Sequence, residues 1–112
     1  MVERRKYPRI HIHGAVPVLD LDRNLVMGQL VDLSEDGMMT LCPESVDIQV
    51  NRLYQVQIDV PAASPATVLA FAVECLWREP GHEAATHWAG FKIIDIARDD
   101  AATLRQLLQV ES

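Results

Sequence analysis

The sequence predicts a mainly β fold, a six-stranded antiparallel β-barrel followed by a C-terminal α-helix. Short segments that alternate apolar and polar residues recur along most of the chain, and turn residues separate them. The period changes to that of a helix only in the last segment. Six strands and one helix in 112 residues suit a small barrel with the helix covering an opening.

Length and composition fit one domain over residues 1–112, since a chain of this size can bury a single core. We divide it into a flexible basic segment (1–10), a barrel (14–97) and a helix (99–110). No apolar run approaches the roughly 20 residues of a membrane span, so we expect none. The N-terminus opens with charge instead of an apolar leader, which predicts no secretion signal and a cytoplasmic location.

The first strands form a predicted hairpin. Residues 15–21 and 25–33 flank three polar residues, a connection short enough for two adjacent antiparallel strands. Residues 34–37 form the next turn, where Gly37 would tolerate a positive φ, and residues 38–42 return as a third strand.

The remaining strands differ in how they alternate. Residues 54–60 alternate most regularly, which indicates a half-buried strand. In the next strand Leu69, Phe71, Val73, Cys75 and Trp77 share one face. Residues 87–96 carry apolar side chains on both faces, as in a strand that is covered on both sides.

The last segment has the spacing of an amphipathic helix. Ala101, Leu104 and Leu108 fall on one helical face. Asp99 or Asp100 can cap the first turn, because aspartate side chains accept hydrogen bonds from free backbone N–H groups there.

Two arginines four residues apart, Arg5 and Arg9, form the first candidate binding motif. Pro8 disfavours helix at Tyr7, and in an extended chain both guanidinium groups project to the same side. Their planar forks suit phosphate or the O6/N7 edge of guanine. Taken alone, this segment is better explained by a solvated basic tail, since charged termini are common and usually disordered.

The second candidate motif is Asp32-Leu33-Ser34-Glu35-Asp36-Gly37. Strand alternation predicts that Val31 and Leu33 enter the core while Asp32 and Ser34 project together from the other face. A carboxylate there can accept both N1–H and the amino group of guanine. An ordinary hairpin turn with polar residues remains the alternative.

Together the two motifs complement a guanine nucleotide, and here the chain resembles the PilZ family. The pattern R-x-x-x-R followed by [D/N]-x-S-x-x-G is matched by Arg5, Arg9, Asp32, Ser34 and Gly37. A later segment with Trp77, Arg78, Gly90 and Phe91 is also similar to that family. The resemblance implies a non-catalytic barrel that holds cyclic di-GMP on its outer surface, with no cofactor.

The resemblance also implies roles for individual residues. Arg5 and Arg9 contact phosphates and guanine edges, Asp32 and Ser34 hold a guanine, and Gly37 shapes the turn. Arginine at the position of Arg4 accompanies binding of two intercalated ligand molecules in the family, so a stacked ligand dimer is expected. Trp77 either stacks on guanine or packs in the core with the apolar residues of its face.

The function expected from this resemblance is a receptor that orders its basic segment on ligand binding and signals to an unidentified protein partner in trans. One alternative is a nucleotide-independent adaptor that uses the same barrel for protein contacts. A second is a single-stranded nucleic-acid binder, which the net charge of −6 and the few aromatic residues disfavour.

Metal and catalytic sites find little support. His11 and His13 share a strand face, but no third ligand follows at suitable spacing. Cys42 and Cys75 lack a CxxC-type spacing and are expected to be buried thiols. No nucleophile has a base nearby, so we expect neither a metal nor an enzyme.

Overall fold

A computed structural model describes residues 9–60 and 67–111, with side chains up to residue 109. Seven strands precede one helix. They are β1 (Ile10–His11), β2 (Pro17–Asp20), β3 (Leu25–Leu33), β4 (Gly37–Pro43), β5 (Leu53–Val60), β6 (Thr67–Pro80), β7 (Thr86–Ile96) and α1 (Arg98–Glu111). Within these ranges, no helix has the length and apolar character needed to cross a bilayer.

Strands β2 to β7 close into an antiparallel barrel. The order around the sheet is β3-β2-β5-β6-β7-β4, and β4 pairs back to β3, so the six strands have no free edge. The predicted fold class is therefore confirmed. Strand β1 was not predicted; it adds two residues to β3, with His11 opposite Asp32.

The core fills the barrel interior and the space under the helix. The inward residues of β5, Tyr54, Val56, Ile58 and Val60, are all buried, as the alternation predicts. The Tyr54 and Phe91 rings meet edge to face with centroids 6.0 Å apart. Leu104, Leu107 and Leu108 of α1 belong to the same buried cluster, so the helix seals the barrel.

A bulge in β3 changes the face on which its residues lie. Leu30 pairs with Thr40 and Asp32 pairs with Met39, which leaves Val31 as the extra residue. Leu30 and Leu33 are therefore the buried residues, and Val31 is half-buried outside the core cluster. The prediction that Val31 enters the core was wrong, whereas that for Leu33 was correct.

A second bulge moves Trp77 out of the core face of β6. Cys75 pairs with Phe91 and Trp77 pairs with Gly90, so Leu76 is the extra residue. Cys75 is fully buried, but the Trp77 side chain is exposed. The alternative in which Trp77 packs in the core is thereby wrong.

Two smaller expectations also need correction. The end of β7 is not covered on both faces, because Ile94 is exposed and its neighbours are at most half-buried. The helix begins at Arg98, so Asp99 and Asp100 lie inside its first turn instead of capping it. There they still interact favourably with the positive end of the helix dipole.

Candidate functional site

A pocket of about 170 Å³ opens on the outer wall of the barrel, beside the turn between β3 and β4. We call it the turn pocket. Its lining residues come from the turn and from strands β4, β6 and β7, and they are Arg9, Ser34, Asp36, Gly37, Met38, Met39, Leu76, Trp77, Gly90, Phe91 and Lys92. Four predicted site residues are thus brought together, while Arg4 and Arg5 lie outside the described residues.

Asp32 lies behind Arg9 and is almost completely buried. Its Oδ2 is 3.5 Å from Nη1 of Arg9, a long contact for an ion pair. Its Oδ1 is buried and has no hydrogen-bond partner in the described part of the chain. Buried carboxylate oxygens without a donor are costly, because water is lost and nothing replaces it. Asp32 is therefore an acceptor that lacks a donor.

Ser34 braces the turn from inside. Its Oγ donates to Oδ1 of Asp36 at 2.7 Å, and its backbone N–H donates to the carbonyl of Gly37 at 2.9 Å. Ser34 and Asp32 are both buried, so they do not project as an exposed pair as predicted. Because the hydroxyl proton is given to Asp36, Ser34 has only its oxygen lone pairs left for another group.

Gly37 is required by the packing of β4 against β7. A Cβ at this position would lie 2.6 Å from the carbonyl oxygen of Phe91, closer than such atoms approach. Gly37 does not adopt the positive φ that a glycine would tolerate there. The glycine permits close approach of two strands and leaves the turn geometry to Ser34 and Asp36.

The Trp77 indole lies over Gly90 at the edge of the turn pocket. A Cβ on Gly90 would overlap the indole Nε1, so the missing side chain makes room for the ring. About a third of Trp77, 37%, remains exposed. One face of the ring is thus supported by the backbone of β7 while the side chain borders open space.

Two charged pocket residues, Asp36 and Lys92, were not predicted. Asp36 belongs to the second motif, but at a position where the pattern accepts any residue. Lys92 lies between two apolar residues of β7, where alternation indicates only an outward polar side chain. Its place beside Gly37 follows from the register between β4 and β7, which local sequence does not reveal.

A larger cavity, about 440 Å³, lies on the opposite side of the same turn, against α1. We call it the helix cavity; it is lined by Glu35, Asp36, residues 93–96, Ala101, Leu104 and Arg105. Nη1 of Arg105 is 3.8 Å from Oε1 of Glu35, and the backbone N–H of Ile93 donates to the carbonyl of Asp36 at 2.8 Å. The turn is therefore tied to both the helix and β7.

The buried cysteines and histidine do not form a reactive centre. Burial raises the pKa of the Cys42 and Cys75 thiols, which keeps them protonated. Burial, assisted by Arg78, lowers the pKa of His87, and neither of its ring nitrogens has a hydrogen-bond partner among the described residues. In that same part of the chain, no three metal-ligating side chains cluster, His11 and His13 included.

The fold and the site define a class of protein: a small closed antiparallel barrel with a charged pocket on its outer wall. The PilZ domain model matches residues 3–109, and the chain belongs to the PilZ domain family. A search of curated proteins gives no match.

Solved structures support the fold. The Bacillus subtilis inhibitor of motility MotI/DgrA is 14% identical with a TM-score of 0.76, over 99% of this chain and 55% of that chain. Escherichia coli YcgR in complex with c-di-GMP is 20% identical with a TM-score of 0.76, over 97% and 46%. The PilZ domain of YcgR with c-di-GMP is 19% identical with a TM-score of 0.71, over 97% and 92%. The chain spans about half the length of the first two proteins.

Proposed function

We propose that this chain is a cyclic di-GMP receptor that signals to a protein partner in trans. The observation that carries the proposal is the buried Oδ1 of Asp32, which receives no hydrogen bond from the described part of the chain, while the other carboxylate oxygen contacts Arg9 of the turn pocket. Guanine offers two adjacent N–H donors, and a carboxylate can accept both. Structural relatives with c-di-GMP bound share the fold, which supports the same ligand class.

Arg9 has a double role in this proposal. Its 3.5 Å contact to Asp32 is weak enough to be replaced when a guanine takes the carboxylate. The guanidinium then turns to a phosphate or to the O6/N7 edge, which its fork matches. Arg5, four residues before it, contributes a second fork, and Arg4 supports a stacked pair of ligand molecules.

Trp77 and Ser34 complete the proposed contacts. Stacking of a base on an aromatic ring is worth roughly 1–3 kcal/mol, and Trp77 already has one side supported by Gly90. Ser34 accepts from the guanine or its ribose while its proton stays on Asp36. Gly37 acts indirectly, by keeping β4 close to β7.

The turn supplies the route from ligand to partner. Ligand bound at Asp32 and Ser34 would contact the turn between β3 and β4. The same turn carries Glu35, which contacts Arg105 of α1. A shift of this turn alters the helix cavity, so ligand occupancy becomes visible on a surface that a partner can contact.

Calorimetric titration of the purified chain with cyclic di-GMP tests the proposal. Saturable binding is expected, with two ligand molecules per chain if they stack. Arg5→Ala and Arg9→Ala should each weaken binding strongly. Added salt should weaken binding less in these variants than in the wild type, because each variant has lost one of the charge–phosphate attractions that salt screens. Asp32→Ala weakens binding with little change in salt dependence. Absence of binding at low micromolar protein contradicts the proposal.

Backbone chemical shifts recorded during the same titration test the signalling step. Residues of the turn and of α1 should shift together with those of the turn pocket, while β2 should stay unchanged as an internal control. Shifts confined to the pocket, with α1 unaffected, would leave a receptor without the proposed route to its partner.

A further inference from the structure

We propose that Lys92 is an additional ligand-binding residue, which contacts the phosphate opposite the one bound by Arg9. This inference rests on the proposed cyclic di-GMP function and specifies which chemical feature the turn pocket selects, namely a second phosphate. It adds a residue of β7 to a site that the two motifs place only on the N-terminal segment and the β3–β4 turn.

The sheet register places Lys92 in the wall of the turn pocket. It pairs with Gly37 of β4 on one side and with Glu74 of β6 on the other, so its side chain leaves the barrel wall between them. Because Gly37 has no side chain, nothing from that position stands between Lys92 and the turn. Lys92 and Arg9 both line the pocket.

The charge of Lys92 is not used elsewhere in the described structure. No hydrogen bond or ion pair involves its ammonium group among the described residues, although Glu74 is its cross-strand neighbour. Three arginines elsewhere on the domain are occupied instead: Arg23 binds Asp20, Arg78 donates to the carbonyl of Ile48, and Arg105 contacts Glu35. Lys92 is therefore a cation of the pocket lining that has no ion-pair partner among the described residues.

Electrostatics indicate why the pocket needs this cation. Its described lining holds one carboxylate, Asp36, and two cations, Arg9 and Lys92, while the buried carboxylate of Asp32 contacts Arg9 from outside the lining. Because Arg9 already faces the Asp32 carboxylate, Lys92 is the described lining cation whose charge is left to attract a second phosphate. A lysine on a flexible stem can follow a phosphate as a point charge, whereas Arg9 is positioned by its contact with Asp32.

The test compares Lys92→Ala with Arg52→Ala in cyclic di-GMP titrations. Arg52 is a matched control because it is a half-exposed cation whose contact, with Asp47 at 3.7 Å, lies outside the pocket lining. Lys92→Ala should weaken binding about 10-fold and Arg52→Ala less than 2-fold, as expected for loss of one charge-assisted contact. Lys92→Arg should retain most of the affinity, and equal melting temperatures verify that the variants are folded.

A second ligand separates the phosphate contact from a general charge effect. The linear dinucleotide GpG keeps both guanines but has one phosphodiester. Lys92→Ala should weaken GpG binding less than 3-fold. An equal loss for both ligands, or equal affinities of Lys92→Ala and Arg52→Ala for cyclic di-GMP, overturns the inference. If the wild type binds no cyclic di-GMP, the proposed function itself is wrong. That result can be distinguished from the two outcomes above, in which the wild type binds the ligand.

Discussion

Asp20 and Asp32 are both buried strand aspartates next to an arginine, yet their surroundings differ. Asp20 accepts from the backbone N–H groups of Asp22 and Arg23 at 3.0 and 3.1 Å and from Nε of Arg23 at 2.7 Å. Among the described residues, Asp32 has one 3.5 Å contact, to Arg9, and its Oδ1 has no partner. Burial and charge are alike, so the difference lies in how many donors each carboxylate receives.

This contrast separates a structural carboxylate from one that awaits a ligand. The three bonds at Asp20 hold the hairpin between β2 and β3, and Arg23 also lies over the Tyr54 ring at 5.6 Å. Asp20 therefore stabilises the fold, and both of its carboxylate oxygens already accept hydrogen bonds. Asp32 carries the cost of burial without equivalent bonds, which is typical of sites that trade stability for function.

The largest expected difference is in ligand affinity. Asp32→Ala should weaken cyclic di-GMP binding at least about 100-fold, because the variant loses two charge-assisted bonds to guanine N–H groups, each worth about 1.5–3 kcal/mol. Asp20→Ala should bind the ligand with wild-type affinity below its lowered melting temperature. Titration calorimetry at 10 °C measures both, and comparable losses for the two variants would remove the distinction.

The same pair should differ in the opposite direction in stability. Asp20→Asn places an amide NH₂ where a carboxylate oxygen accepts from a donor, so the free energy of unfolding should fall by about 1–3 kcal/mol. Asp32→Asn removes a buried charge and gives up only a long pair with a half-exposed arginine, so stability should be unchanged or higher. Urea unfolding at pH 7 measures the free energy of unfolding of both variants. A larger decrease for Asp32→Asn than for Asp20→Asn would contradict this prediction.

His87 tests whether any unpartnered buried polar group marks the ligand site. It is buried with both ring nitrogens unpaired, as Asp32 Oδ1 is, but it lies outside the turn pocket. His87→Phe should leave cyclic di-GMP affinity unchanged, because the residue lines no part of that pocket. Reduced affinity in this variant would show that burial without a partner does not locate the site.

The stability of the His87 variant should also depend less on pH. Burial and Arg78 lower the pKa of His87, with Glu44 opposing them, so the unfolded chain binds a proton more readily than the folded one. Stability from the neutral imidazole is fully present above the unfolded pKa of about 6.5 and declines as pH falls below it, by at most about 1.4 kcal/mol per pH unit. Urea unfolding at pH 7.5 and 5.5 should show a smaller loss for His87→Phe than for the wild type.

The smallest expected effect concerns Trp77. Gly90→Ala should displace the indole, because the added methyl occupies the space under the ring, and affinity should fall about 3- to 10-fold as stacking is weakened. Stability should change little, since a half-exposed ring can move outward. Tryptophan fluorescence during titration measures both effects; unchanged quenching and affinity would show that Trp77 does not stack on the ligand.

Regular alternation was enough to predict the barrel, but the bulges were not predictable from it. The strands β3 and β5 have nearly the bounds that the pattern indicates, and β5 also has the buried residues that a period of two predicts. Val31 and Leu76 break that period because each is an extra bulge residue with no paired residue on the neighbouring strand. Register depends on pairing across the sheet, so the positions of Val31 and Trp77 could not follow from local sequence.

The candidate site was predictable where a motif names the residue and not elsewhere. Arg9, Ser34, Gly37 and Trp77 meet at one pocket, although Gly37 serves strand packing. Asp36 and Lys92 were not predicted. Asp36 is at a variable position of the motif. Lys92 lies 55 residues beyond Gly37 (92 − 37) and is adjacent to it only in the folded sheet. Contacts of this kind depend on tertiary structure.

The missing side chain of Gly37 has a consequence for how this protein can change over time. The place where β4 meets the carbonyl of Phe91 is also a wall of the pocket, so barrel closure and ligand recognition share one backbone contact. A related protein that no longer binds the ligand has no need of Asp32 or Arg9. It still needs Gly37, because a side chain at this position would clash with the carbonyl of Phe91. A related sequence that retains only Gly37 is therefore expected to keep the barrel fold. Retention of Asp32 and Arg9 as well would indicate that the sequence still binds the ligand.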